Sequence, residues 1–229
     1  MAKKIKSSLI ILTRNEIEGM KALVGRIPFE AADETFVVDY QSDDGTVEFV
    51  KTRGLHLIEQ QKPGRGEAFR LAASVAKGEY LIFFSPDGNE EPSDIPKLLR
   101  LLEDGADMAI ASRFLPGSRN EEDGQTFKFR LWANKAFSFL ANLLWNRSGG
   151  YVSDTINGYR AITKKAYQQL HLDAKGYAIE FQMTIRAMKH KLKIVEIPTV
   201  EGDRIGGESK SKSIPTGIKF LNLLFCELF

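Results

Sequence analysis

Oxygen donors and cations recur just behind the apolar runs of this chain. Asp87 and Asn89 stand two apart in Pro86-Asp87-Gly88-Asn89, directly after the run YLIFFS. One charged and one neutral oxygen donor, facing the same way on a turn, suit a hard divalent cation. Magnesium or manganese would be shared with a substrate diphosphate, not caged by protein alone. Gly64-Arg65-Gly66-Glu67-Ala68 opens a helix whose free amides could meet a phosphate or sugar oxygen. Farther on, residues 203–210 (DRIGGESK) carry Arg204 and Lys210 on a glycine-bearing stretch. Such a loop could close over a diphosphate and neutralise charge as the leaving group departs. Asn15-Glu16, Asp39 with Ser42-Asp43-Asp44-Gly45, and Arg113 complete the set. Each also has an ordinary reading. Asp43-Asp44-Gly45 is a turn with Asp44 capping the next helix, Pro63-Gly64 and Pro86-Asp87-Gly88 are turns, and the late loop is a solvated basic loop.

Other chemistries find no support. The glycines around Arg65 do not spell GxGxxG and follow the third strand-like run, not the first, and no Walker lysine motif occurs, which argues against dinucleotide and NTPase sites. His56, His171 and His190 are too scattered for zinc. A single cysteine, Cys226, forbids an internal disulfide, fits a reducing compartment, and reads as a helix packing residue. Lysine plus arginine total 32 against 30 acids, so the net charge of +2 gives no global field for nucleic acid. No signal peptide and no stretch of about 20 apolar residues is seen, so a soluble cytoplasmic protein is expected, with contact at the inner membrane face left open.

The elements that must position these residues alternate through the first half. Strands are predicted at residues 8–13, 35–40, 55–60, 80–85 and 107–112. Helices are predicted at 15–27, 45–53, 66–77 and 93–103, the last capped by Ser93. Such alternation implies right-handed crossovers, a mostly parallel sheet with helices on both faces, and ligands beyond the carboxyl ends of the strands. The polar groups that follow the five strands of this half would share one cleft. The second half reads as a polar loop at 116–125, helices at 127–145, 177–190 and 216–229, a strand at 192–197, and a long polar loop at 200–215. In the first of these helices Phe129, Trp132, Phe137 and Leu140 read as core. One domain is expected over 1–229, with two functional halves at 1–115 and 116–229.

In order and spacing, these motifs resemble those of family 2 glycosyltransferases of the GT-A fold, most of all the dolichyl-phosphate mannose and glucose synthase group. The resemblance rests on RNE at 14–16, VDYQSDDGT at 38–46, GRGEA at 64–68, FFSPDGN at 83–89, IASR at 110–113, SDTINGYR at 153–160, VEIP at 195–198 and DRIGGESK at 203–210. It implies an α/β GT-A fold and an inverting transfer of a sugar from a nucleotide diphosphate sugar to a polyprenyl phosphate. It implies that Glu16 and Val38 contact the nucleotide, and that Asp87 and Asn89 hold Mg2+ or Mn2+ on the diphosphate. Arg113 would bind the sugar-phosphate or acceptor side, Arg204 and Lys210 would grip the diphosphate, and Asp39 keeps the first acid of its motif. Tyr40 stands where the family has a second aspartate, Ser85 replaces the first acid of the metal motif, and Leu12 and Arg14 replace a proline and a tyrosine near the base. These departures leave the choice between a UDP- and a GDP-linked donor open.

The acceptor decides whether a base is needed. A phosphate is already an anion, whereas a sugar hydroxyl must lose a proton to a carboxylate. Asp154 and Glu180 are the candidates, Asp154 having the alternative of capping a turn through the Thr155 and Ile156 amides. Arg186, Lys189, Lys191, Lys193, Arg204, Lys210, Lys212 and Lys219 give the second half a basic character suited to an anionic lipid surface. A soluble transferase acting on a sugar hydroxyl or small phosphorylated acceptor, and a nucleotide-sugar-binding protein without turnover, are the rival readings.

Overall fold

The first apolar run is continuous because the strand it forms is covered on both faces. The computed structural model, which describes residues 5–120, 122–123, 129–147, 149–206 and 213–228, buries every residue of β1 (Ser7–Thr13). Its side chains alternate between two cores: Ile10 and Leu12 face one, Leu9 and Ile11 the other. The alternation continues through α1 (Ile17–Leu23), β2 (Glu34–Asp39), α2 (Thr46–Thr52), β3 (His56–Glu59), α3 (Arg65–Val75), β4 (Tyr80–Phe84), α4 (Ile95–Glu103) and β5 (Met108–Ser112). Then come α5 (Phe129–Trp145), β6 (Arg160–Thr163), α6 (Lys164–Gln169), α7 (Ala178–Lys189), β7 (Ile194–Pro198) and α8 (Ser213–Leu228).

The seven strands lie in the order β3-β2-β1-β4-β6-β5-β7. All pairings are parallel except those of β6, which runs antiparallel to both β4 and β5. One core holds α3, α6 and α7 against the sheet, where Phe69 stacks on Phe83 with centroids 4.1 Å apart. A cluster of Phe137, Phe181 and Phe220, with centroids 5.3–5.7 Å apart, joins α5, α7 and α8. The other core holds α1, α2 and α4.

Several expectations are corrected. The first helix stops at Leu23, where Gly25 follows, short of Ile27. Ser93 does not cap α4: Glu91 accepts the Ser93 amide, a 3-10 turn intervenes, and the helix begins at Ile95. β6 and α6 were not foreseen. Phe137 and Leu140 pack against the core as expected, but Phe129 and Trp132 are 53% and 67% exposed. Cys226 is exposed, because Phe220, Leu223, Leu224 and Glu227 take the inward face of α8. That helix begins at Ser213, inside the stretch expected as loop.

Candidate active site

The loops after β1 and β2 are zipped together. Asn15 donates its amide to Ser42 Oγ at 2.8 Å; its side chain donates through Nδ2 to the Asp43 carboxylate at 2.8 Å and accepts the Asp43 backbone amide at Oδ1 at 3.0 Å. Asp44 accepts from the amides of both Ile17 and Thr46 at 3.0 Å, so one carboxylate serves the starts of α1 and α2. Burial alone would raise the Asp44 carboxyl, but hydrogen bonds from Thr46 and Ile17 outweigh it and hold it below the ordinary value. Asp39 is buried, and its carboxylate brackets Thr13 Oγ1 at 2.7 Å and the Ser42 amide at 3.0 Å. It therefore braces the loops from behind the cavity wall. Glu16 and Val38 reach the cavity surface.

That cavity, of about 570 Å3, lies beyond the carboxyl ends of β1, β2, β4 and β5. At one end it is lined by Leu12, Arg14, Val38, Tyr40 and Gln60. The Arg14 guanidinium lies 5.2 Å over the Tyr40 ring, giving a flat cationic and aromatic wall. Gly64 lines the cavity too, whereas Gly66 sits away from it against the Ala174 carbonyl.

At the middle of the cavity a strap following β7 is pinned to the loop following β4. Ile205 donates its amide to the Asp87 carbonyl at 2.8 Å, and Asn89 Nδ2 donates to the Gly202 carbonyl at 2.8 Å. The two backbones approach so closely that a Cβ on Gly202 would lie 2.4 Å from the Gly88 carbonyl oxygen. Gly88 itself sits at φ +96, in the left-handed region. This contact delivers Arg204 to Asp87 at 2.8 Å and to both oxygens of Glu16 at 2.9 and 3.0 Å. Burial pulls the Arg204 guanidinium down, but Asp87 and Glu16 outweigh it and raise it. Glu90, accepting the Ser85 amide at 2.6 Å, has its carboxyl pushed well above the ordinary value by burial and by the nearby Asp87 charge.

Deeper in, Arg65 pairs through Nε with Glu180, donates to Ser85 Oγ at 3.1 Å, and lies over the Phe69 and Tyr177 rings. Arg113 and Asp154 form a buried bidentate pair at 2.7 and 3.0 Å, with Glu201 at 3.4 Å from the guanidinium. Burial would raise the Asp154 carboxyl, but Arg113 holds it below the ordinary value. The amides Asp154 accepts are those of Arg113 and Asn157, not those of Thr155 and Ile156 that the capping alternative named. Two buried polar side-chain atoms of the cavity-lining residues have no hydrogen-bond partner: Arg204 Nε, a donor, and Glu180 Oε2, an acceptor.

The structure thus brings Glu16, Val38, Gly64, Asp87, Asn89, Arg113, Glu180 and Arg204 to one cavity, with Asp154 paired to Arg113 beside it. Lys210 lies outside the described residues. Sequence reasoning missed Arg65, Glu90, Tyr177 and Glu201. Arg65 stood inside a stretch valued for its glycines, and nothing in the spacing of Tyr177 or Glu201 set them apart. Among the described residues no group of three or more His, Cys, Asp or Glu gathers as a metal cage. One carboxylate of Asp87 with the amide oxygen of Asn89 is nonetheless a donor set that fits a hard ion completed by substrate oxygens.

The fold resembles that of glucosyl-3-phosphoglycerate synthase from Mycobacterium tuberculosis, crystallised with Mn2+, UDP-glucose and phosphoglyceric acid. The TM-score is 0.74, at 20% identity over 97% of this chain and 79% of that one. In sequence the chain is 30% identical to the undecaprenyl-phosphate mannosyltransferase of Micrococcus luteus, over 93% of this chain and 90% of that protein. It is 29% identical to the polyprenol monophosphomannose synthase of Mycolicibacterium smegmatis, over 90% and 80%. The model of the family named glycosyl transferase family 2 matches residues 8–168. With this match laid over a GT-A architecture and one polar cavity at the strand ends, the chain belongs to glycosyl transferase family 2 and is a hexosyltransferase.

Proposed function

We propose that this enzyme moves a hexose, with inversion, from a UDP- or GDP-linked sugar to the phosphate of a polyprenyl lipid at a membrane surface. The observation that carries the reading is the meeting of Glu16, Asp87 and Arg204 in one cavity. There two acids and a cation converge from loops far apart in the chain. The names of the two mannosyl-transferring relatives support the acceptor.

In this reading residues 1–115 hold the donor and 116–229 the acceptor, with Arg204 and Glu180 reaching back toward the donor. The base and ribose lie along Leu12, Arg14, Val38 and Tyr40. Asp87 and Asn89 would hold Mg2+ or Mn2+. Such an ion, when bound, shares the negative charge of the departing diphosphate. Arg204 turns its unmatched Nε to a diphosphate oxygen, and Lys210 would add a second positive charge for the diphosphate. A lipid phosphate attacks as an anion and needs no base. The Asp154 pairing agrees with this: with both oxygens held by Arg113, it orients that guanidinium toward the acceptor phosphate and takes up no proton. Two neighbouring helices also offer apolar faces outward, Trp132, Phe139 and Leu143 on α5, and Ile218, Leu221 and Leu228 on α8. A lipid-phosphate acceptor would approach along them.

The test is transfer of radiolabel from UDP-glucose or GDP-mannose, with Mg2+ or Mn2+, to a polyprenyl phosphate in detergent or to a soluble phosphorylated acceptor. Label moving to the lipid is expected, with Asp87→Ala lowering the rate by about a hundredfold or more. Transfer to the soluble acceptor alone would overturn the lipid assignment. Unchanged activity of Asp87→Ala would overturn the ion's assignment.

A further inference from the structure

The reading above leaves unused the acceptor atom buried in the cavity, Glu180 Oε2. Glu180 is 2% exposed, and its backbone is fixed from below, where the buried Arg160 donates to the Glu180 carbonyl at 2.9 Å. Its Oε1 is taken by Arg65, whose guanidinium is held on its other side by Ser85 Oγ and by the Phe69 and Tyr177 rings. The carboxylate can therefore neither swing to water nor turn to another protein donor. Buried side-chain oxygens are nearly always hydrogen-bonded, so one clamped in place and unmatched at a cavity wall is an acceptor kept for a ligand.

The position narrows the ligand. Glu180 shares its electrostatic surroundings with Asp87, Glu90 and Arg65, and its partner Arg65 is bonded to Ser85, two residues before Asp87, whereas Arg14 and Tyr40 line the cavity from the ends of β1 and β2. A diphosphate held at Asp87 and Arg204 would put the sugar ring, not the base, beside it. The group that meets Oε2 must donate a hydrogen and carry no negative charge, because a phosphate would be repelled. A sugar hydroxyl meets both conditions. We infer that Glu180 is a specificity-determining residue which accepts a hydrogen bond from a hydroxyl of the transferred hexose, and that Arg65 is the positioning residue that aims it. This rests on the transfer reading above. It also gives Glu180 a role other than that of a general base, which a phosphate acceptor does not require.

The experiment compares binding of UDP with UDP-glucose, and GDP with GDP-mannose, by calorimetry with Mn2+ present, in the wild-type chain and in Glu180→Gln. A glutamine there turns its carbonyl to Arg65 and its NH2 into the cavity, replacing the acceptor by a donor. The sugar nucleotide is expected to weaken by about ten- to a hundredfold while the free diphosphate is unchanged. A wild-type series of deoxy-sugar nucleotides asks the same question without relying on the variant's folding. One deoxy analogue should bind about as weakly to wild type as the parent binds to Glu180→Gln, and should lose nothing further in that variant. Equal loss for nucleotide and sugar nucleotide, or a deoxy series that binds like the parent throughout, would overturn the assignment and leave the oxygen holding only water. A collapse in kcat with sugar-nucleotide binding intact would instead make Glu180 the base and equally overturn it. If wild type binds neither nucleotide, the transfer reading itself falls, and this inference with it.

Discussion

Arg204 is the side chain on which most of the cavity's charge turns. It pairs with Glu16 and Asp87 at once, so the cation that grips a diphosphate also sits where a divalent ion would meet Asp87. Its removal should act in two directions. Arg204→Ala is expected to lower turnover by about a hundred- to a thousandfold, while Mn2+, followed by its electron paramagnetic resonance signal, binds the free enzyme more tightly. Weaker Mn2+ binding would show that the arginine helps assemble the ion site. Asp154 tests the acceptor side. Asp154→Asn leaves the Arg113 guanidinium buried with half its partners, and loss of one member of a buried pair costs about 3–5 kcal/mol, to be read from urea unfolding at pH 7. Because Arg113 holds the folded carboxyl below its ordinary value, the wild-type advantage is fully present above about pH 4. It fades as pH falls through the lowered folded value, so the two unfolding curves should converge in acid.

Among the elements, the strap between β7 and α8 rests on a backbone contact that tolerates no Cβ. Gly202→Ala would push a carbon to 2.4 Å from the Gly88 carbonyl, and relief requires the strap to lift. Arg204 then leaves Asp87, so kcat/KM should fall by about tenfold or more, while the melting temperature, set by the two cores, moves little. An unchanged rate would mean the strap closes by another route. This coupling was only half legible in the sequence. The apolar runs announced β1, β2, β4 and β5 because a doubly covered strand has no polar face to hide it, and the polar residues behind them marked the cavity. β6 escaped notice because its four residues begin with Arg160, whose charge is met by Thr184 Oγ1 and backbone carbonyls inside the fold. Arg65 escaped because its partners, Ser85 and Glu180, are 20 and 115 residues away. Only the sheet order brings them together.

Seen as a whole, the enzyme has its polar cavity beside an outward apolar surface on α5 and α8, and among the described residues no helix is long and apolar enough to cross a membrane. The basic residues expected to attract anionic lipid are partly spent within the fold. Arg186 and Lys189 both bind the buried Glu227, at 2.7 and 2.6 Å, and Arg186 also binds Asp173 at 2.9 Å. With a net charge of only +2, adhesion to a bilayer should therefore draw more on apolar contact than on charge. Cosedimentation with vesicles of phosphatidylglycerol and phosphatidylcholine separates the two contributions. Raising the salt should weaken binding only mildly, since part of the second half's basic charge is already paired within the fold. The double change Trp132→Ser and Leu221→Ser removes two side chains that are 67% and 54% exposed, and should weaken binding by about ten- to a hundredfold. Neither residue lines the cavity. Transfer to a short, water-soluble polyprenyl phosphate should therefore survive in the double variant, while transfer to the long-chain lipid in vesicles falls with binding. Equal loss on both acceptors would mean that these helix faces serve the catalytic fold itself. Strong salt sensitivity with no effect of the double change would shift the adhesion onto the remaining lysines of the second half.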